Sequence, residues 1–568
     1  MDQGVKDLQD LIKWHRDVGR EERRAIDRCF LSFDGKLSQA FDDIMPGPWL
    51  TEENILAAPN LISTMVRAIA TALSYGNPSI YVRPEDPETS KFQGILTGGL
   101  KKLLREIYFP QLLRSAVIKA LVGKRAAWKV GWDVGRDLPT AAVVDPRSLF
   151  FDRDAAIWRD VTYYIQLVEM PEARFKRKVK EGIYRNVSRV EPKKADADLT
   201  IHPEVLKSSR KVVYVWEHYD LEAGTVCHLP DGADAYCFED DLAYNPFVGF
   251  SLDINGVDCL GSSEADRALR QQQNLILAYY ILTKVMAKSV PGMILDASAF
   301  DEDDVNRLNN DAEDLGGNTV VERKSADQTR SIQDSVIPKP MPAIPPIFGQ
   351  IIGAAQEDAT NDASYSEIRA GKPGGFRSAT EAAIADANVK SKIADKEANL
   401  GEGLGRLGDL LLYVTGRYRR DPLFIPGADL GIAPDQWQQL SQEILRKGRY
   451  YCEIGLFNAA RKNPDVYAET LMQNFQTFAG LPFVKAPVLT RALFAAVGLP
   501  MDAVQSDAEL GQAAQAAQQA QAAQAPQAAA AAQTGPAPGP EAGPSPMAPE
   551  APTGPAVMPP GPVPQPAA

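Results

Sequence analysis

From Ser262 to Val290 the chain contains neither glycine nor proline. A helix over that stretch is about 40 Å long at 1.5 Å rise per residue. Ser262 or Ser263 supplies an N-cap, and Glu264 and Asp266 stand in the first turn, where the helix dipole favours carboxylates. The second half, Leu275-Ile276-Leu277-Ala278-Tyr279-Tyr280-Ile281-Leu282, is apolar all round. A helix of that kind must be covered on several sides. Two coverings are open: the core of its own domain, or neighbouring copies of the chain, with Leu275, Ile276, Tyr280 and Ile281 as the contact residues.

The surrounding sequence is α+β and mostly helical. Residues 5–31 read as one charge-rich amphipathic helix and residues 59–75 as another. Residues 89–121 read as helix split or kinked at Pro110. Strands are expected at 79–82, 126–132, 141–144, 161–169 and 211–218, with a turn at 134–137. Between the last two strands, Arg174 to Lys194 holds nine basic and two acidic residues. That run reads as a solvated helix and loop, or as a contact for DNA or another partner, with only Phe175 and Tyr184 as aromatics. Beyond the long helix, residues 293–295 and 319–322 read as short strands around an acidic helical piece. Prolines at 338, 340, 342, 345 and 346 form an extended return into a second helix ending near Asp362. After a loop at 364–377, Ser378-Ala379-Thr380-Glu381 is a capping box. It opens a helix expected to run past Gly401, Gly403, Gly405 and Gly408 to Tyr418. Residues 434–505 read as mostly helical, with one short strand at 450–454. From Ala508 onward the chain has no lysine or arginine, and its Ala, Gln, Pro and Gly cannot build a packed core.

At 568 residues the chain has room for several cores. No apolar run approaches the roughly 20 residues that cross a bilayer, and the start lacks a signal-peptide layout, so a cytosolic origin without membrane contact is expected. The five cysteines (29, 227, 237, 259 and 452) have no metal-type spacing and read as small core residues. Cys227-His228 with Cys237 is half of a metal site whose other half is missing. The carboxylates Asp301 to Asp304 read as a dipole-matched helix start rather than a Mg²⁺ site. Gly371-Lys372-Pro373 lacks the rest of a phosphate loop, and Gly261-Ser262-Ser263 is a cap, not a nucleophile elbow. No cofactor, no metal and no enzymatic activity are expected. The net charge of −13 argues against a protein dominated by a nucleic-acid-gripping surface, while leaving room for one that lets nucleic acid slide.

The order of elements resembles the portal proteins of tailed bacteriophages over roughly residues 50–505. The residues that carry the resemblance are Tyr244-Asn245-Pro246-Phe247, Gly256-Val257-Asp258 through Gln273, Pro338 to Ile352, Tyr365-Ser366-Glu367 with Gly371, and the 378–381 box. Gly123 to Asp133, Val144-Asp145-Pro146 and Glu217-His218-Tyr219-Asp220 also fit. Tyr451 to Gly455 and Ala459-Ala460-Arg461-Lys462 fit more loosely.

The resemblance implies a homo-oligomeric ring of about twelve copies meeting head to tail at one capsid vertex. It implies a wing (1–261), a stem helix (262–290), a clip (291–345), a second stem helix (346–363), a tunnel loop (364–377), a long wing or tunnel helix (378–429) and a helical crown (430–507), before a disordered tail (508–568). The implied partners are viral double-stranded DNA, the terminase motor and head-completion (adaptor) proteins at the clip, and scaffolding and major capsid proteins at the wing. The implied location is the virion, with assembly in the host cytoplasm. Arg369, Lys372 and Arg377 leave the tunnel loop net basic, so it is expected to face DNA during packaging and ejection, against the simpler reading of a solvent-exposed loop. The rival readings are a non-viral ring or scaffold protein, which needs no basic loop, and a nucleic-acid enzyme, which needs the missing phosphate loop.

Overall fold

The computed structural model describes residues 3–42, 58–74, 78–187, 190–194, 211–254, 256, 258–288, 379–427 and 437–455, with short pieces at 293–296, 319–321, 336–338, 349–350 and 352–354. The expected tunnel loop with Arg369, Lys372 and Arg377, most of the expected clip and second stem helix, the crown beyond 455 and the tail lie outside those residues.

The expected first helix is two, α1 (Gln3–Val18) and α2 (Arg20–Phe33). They part at Gly19, where a Cβ would stand 2.7 Å from the His15 carbonyl oxygen. Next come α3 (Leu37–Phe41), α4 (Leu61–Ser74), β1 (Ser79–Pro84) and α5 (Pro87–Ser90). α6 (Gln93–Glu106) and α7 (Phe109–Gly123) take the split form of the helix expected there. The break falls at Tyr108, in the left-handed region with φ 53°, and Pro110 sits in the first turn of α7, where its missing N–H costs nothing.

β2 (Ala126–Asp133) and β3 (Leu138–Val144) form the expected hairpin. β4 (Leu149–Phe151), β5 (Tyr163–Pro171), α8 (Glu172–Lys180), β6 (Lys193–Lys194), β7 (Lys211–Asp220), β8 (Thr225–Pro230), β9 (Phe238–Asp241) and β10 (Phe247–Phe250) complete the first half. α9 (Glu264–Lys288) is the breaker-free helix. The short strands β11 (Met293–Asp296), β12 (Thr319–Val321) and β13 (Val336–Pro338) follow. α10 (Ala379–Tyr418) does run on past its glycines. β14 (Leu423–Pro426), β15 (Trp437–Leu440), α11 (Gln442–Lys447) and β16 (Tyr450–Gly455) close the described chain.

β7 reads Lys-Val-Val-Tyr-Val-Trp, nearly continuous apolar instead of alternating, because both faces of its sheet are covered. Its even residues Val212, Tyr214 and Trp216 join Ile165 and Leu167 of β5 under Val5, Leu8 and Ile12 of α1. Its odd residues Val213 and Val215 face Phe175 of α8 and Tyr184 on the other side. The sheet runs β4-β5-β7-β8-β9, with β6 added beside β7. A second sheet, β10-β2-β3, backs onto the main core, where Trp128 stacks on Phe250 at 4.4 Å. β11 pairs in parallel with β12 and antiparallel with β13.

The main core is organised by α10. Leu400, Leu404, Leu407 and Leu411 recur at helical spacing and are fully buried, beside Leu96, Leu100 and Leu103 of α6 and Ile62, Val66 and Ile69 of α4. β16 lies across the adjoining face of α10, pairing with β1 in the register Val82↔Cys452. The strand expected at 450–454 forms as β16, and α11 is helical as expected, whereas Trp437–Leu440, expected to be helical, is the strand β15 paired with β14. β16 alternates as a half-buried strand does: Cys452 and Ile454 are buried while Tyr451 and Glu453 are exposed.

Gly405 and Gly408 make this contact possible. A Cβ on Gly405 would stand 2.6 Å from the Cys452 carbonyl oxygen, and one on Gly408 would stand 2.9 Å from the Cys452 Cβ. At Gly401, one turn earlier, the nearest atom is 3.4 Å away. Gly405→Ala is expected to cost about 1–3 kcal/mol through forced backbone displacement. Gly401→Ala is expected to raise stability by up to about 1 kcal/mol through helix propensity. Denaturant unfolding of the two variants checks this, and equal losses at both positions would rule out the close approach of β16 as the reason for the glycines.

Candidate functional site

The two long helices α9 and α10 are joined at their roots by charge. Lys396 Nζ of α10 lies 2.6 Å from Glu264 Oε1 at the start of α9, with side-chain exposures of 6% and 1%. Arg267, one turn along α9, reaches Glu264 at 3.6 Å and Asp253 at 2.5 Å. Asp253 also accepts from Ser262 Oγ at 2.9 Å and stands 3.9 Å from Lys396. Gly261 makes the approach possible, with φ +71° and only 2.5 Å between a notional Cβ and the Asp253 carbonyl oxygen. Of the two candidate caps, Ser263 is the one used. Its Oγ accepts from Asp266 N at 3.1 Å and donates to the Leu121 and Val122 carbonyls that end α7.

Further along α9, Gln272 is fully buried. Its Oε1 accepts from Leu61 N at 2.8 Å and its Nε2 donates to Pro59 O at 3.1 Å, so α9 closes the start of α4. α10 is held in turn by Asn399, donating to Leu252 O at 3.1 Å, and Arg406, donating to Gly249 O at 2.8 Å. Sequence reading missed Gln272 and Lys396. A glutamine in a run of three and a lysine in an Ala/Lys-rich helix carry no local signal of burial.

The expected contact residues of α9 divide. Leu275 and Ile276 are fully buried in this chain, Ile276 against Leu37, Ala40, Phe41 and Ala58. Their burial needs no neighbour, which settles that part of the open question in favour of the chain's own core. Tyr280 and Ile281 remain half-buried, and Leu277 is 38% exposed. These three retain area to give to another copy.

A second polar cluster links the two large sheets. Lys129 of β2 donates to Gln166 Oε1 at 2.7 Å and to Glu217, and Tyr219 OH donates to Glu217 at 3.0 Å. Gln166 and His228 are the cross-strand partners of Glu217 on either side. Burial raises the Glu217 carboxyl, but Lys129, then His228 and the hydrogen bonds, outweigh it and hold it down to about 2. Burial lowers His228 to about 4, with its Nδ1 3.3 Å from Tyr184 OH. His15, beneath α1, is lowered to about 4 by burial and by Arg153 and Arg125. At neutral pH both rings are therefore uncharged.

All five cysteines are buried and free. Cys227 and His228, successive on β8, point to opposite faces of the pleat and do not converge with Cys237. Among the described residues no three His, Cys, Asp or Glu side chains are grouped as metal ligands. No described helix is long and apolar enough to cross a membrane.

No family model matches the chain, and no curated protein matches it. Among solved structures it is similar to a chain of the neck of an empty GTA particle computed with C6 symmetry. That match has 12% identity and a TM-score of 0.37, and covers 80% of this chain and 94% of that one. It is similar also to a chain of the neck of a native GTA particle computed with C12 symmetry, at 12% identity and a TM-score of 0.37, covering 79% of this chain and 92% of that one. The likeness extends over most of both chains but is weak in geometry, and no property of those necks carries over.

Breaking the root pair is expected to cost more than removing it. Lys396→Met alone leaves Glu264 charged and buried, an expected loss of about 3–5 kcal/mol, whereas K396M/E264M recovers most of that loss. Unfolding free energies of the single and double variants check it, and a double variant as unstable as the single would rule out a coupled pair.

The histidines set a pH window. Because the folded values lie below the ordinary 6.5, the unfolded chain takes up protons first as pH falls. Stability is expected to drop between pH 6.5 and about 4, by roughly 1.4 kcal/mol per unit for each ring. The depressed Glu217 extends the loss toward pH 2. H15Q/H228Q is expected to flatten the slope above pH 4, and an unchanged slope would assign it to other groups.

Proposed function

We propose that the chain is the subunit of a portal-type ring, a passage for double-stranded DNA at a capsid vertex rather than a catalyst. The observation that supports this most is the course of the chain. It leaves the α+β core along α9, forms three short paired strands, and returns along α10 to the same core. The roots of the outgoing and returning helices are tied by Lys396 and Glu264. A 25-residue helix whose outer turns keep Leu277, Tyr280 and Ile281 partly exposed is suited to packing beside identical helices.

In this reading the residues around β11, β12 and β13 dock the terminase motor and head-completion proteins, and the α+β core meets scaffolding and capsid proteins. Arg369, Lys372 and Arg377 face DNA and touch phosphates without reading sequence.

The purified protein is expected to form closed rings with a central hole, seen by solution mass and negative-stain imaging. Y280D/I281D is expected to stay folded and to lose assembly. A stable, folded wild-type monomer at all concentrations would sink the proposal.

A further inference from the structure

The basic run between Arg174 and Lys194 is enlarged by the fold. Pro171, which ends β5 just before α8, lies opposite Val212 of β7. Val212 is also opposite Lys193 of β6, and Lys194 is opposite Lys211. Stretches of chain from three places thus bring cations to one corner of the six-stranded sheet. The charges of Lys176 and Lys211, after the Lys176 hydrogen bond, help to hold the Glu172 carboxyl below its usual range, so Lys211 lies within electrostatic reach of α8.

Arg174, Lys176, Arg177 and Lys180 of α8 are exposed, as are Lys193, Lys194 and Lys211. Two of them have carboxylate partners: Lys176 with Glu172 at 2.6 Å and Arg177 with Glu181 at 4.0 Å. Among the described residues, Arg174, Lys180, Lys193, Lys194 and Lys211 make no ion pair within 4.0 Å. Cations in the last turn of α8 match the helix dipole, but the three lysines on β6 and β7 have no such role.

Composition selects the partner. Protein interfaces are depleted in lysine and need apolar anchors at their centre. Here most of the cations are lysines, and the large apolar side chain exposed beside them is Ile183, at 43%. Phe175 and Tyr184 are buried, at 4% and 2%, so no ring is offered for stacking the bases of a single strand. A dense, flexible set of cations without an aromatic platform fits the regular phosphates of a duplex.

We propose that this corner is a sequence-independent contact for the phosphate backbone of double-stranded DNA, separate from the loop at 364–377. The proposal rests on the ring reading only for the presence of DNA. Duplex binding is measured on the full-length chain in whatever state of assembly it has, so the two can fail separately.

The experiment is fluorescence anisotropy with two labelled duplexes of about 30 base pairs and unrelated sequence, at 50–200 mM KCl. If about four phosphates are contacted, affinity is expected to fall about a hundredfold over that salt range, equally for both sequences. R174E/K176E/R177E/K180E is expected to lose at least tenfold in affinity at low salt with its unfolding curve unchanged. R174Q/R177Q/K180Q serves where charge reversal disturbs folding. No wild-type binding at 50 mM salt, or α8 variants that bind as the wild type does, would overturn the proposal. So would α8 variants that change the assembly state at unchanged duplex affinity, which would assign the corner to an acidic protein surface.

Discussion

The packing of α10 against the main core is the contact on which most of the architecture depends. One face of that helix supplies the leucines at 400, 404, 407 and 411, and the neighbouring face supplies glycines at 405 and 408. The leucines draw α4, α6 and α7 together by burial. The glycines remove side chains so that the backbone of β16 can lie against the helix, which brings β16 into register with β1 across most of the chain length. Helix propensity is given up at those positions and close packing is gained.

Polar groups then set the angles that apolar burial leaves free. A leucine face alone allows sliding and rotation. Lys396 with Glu264, Gln272 with the start of α4, and Asn399 with Leu252 O each accept one placement. Buried pairs of this kind add little net stability, because desolvation offsets most of the Coulomb attraction. Their effect is on geometry. The same logic holds at a second buried pair, where Glu22 of α2 bridges Arg125 at 2.8 Å and Arg153 at 2.6 Å. Burial raises the Glu22 carboxyl, but the two guanidinium groups outweigh it and leave it lowered.

Much of the helical course was legible because it rests on local rules. The capping box before α10, the Ser263 cap and the absence of breakers in α9 are all carried by residues close in sequence. β5 and β7 were legible because their apolar residues come in short uninterrupted runs. What could not be read depended on partners far away in the chain. The pairing of β1 with β16 and the burial of Gln272 are set by packing between distant segments, as is the convergence of Lys211 on a run that ends at Lys194. Periodicity shows which side of an element is apolar, but not what will cover it. That is why Leu275 and Ile276 looked equally suited to two coverings.

The distribution of charge has its own logic within a chain of net charge −13. An acidic protein repels a duplex at long range and admits it closely only where cations are gathered. The described structure gathers them at the corner made by α8, β6 and β7, while the cations beside α2 are spent on internal pairs. Arg125 and Arg147 there have side-chain exposures of 7% and 10% and are committed to Glu22 and Asp145. Arginine suits the internal sites, where its planar fork satisfies a carboxylate in a fixed geometry. In the proposed DNA contact lysine suits the open corner, where a hydrated point charge on a flexible stem would hold phosphate loosely. A surface built that way can hold a moving polyanion without gripping any one position of it.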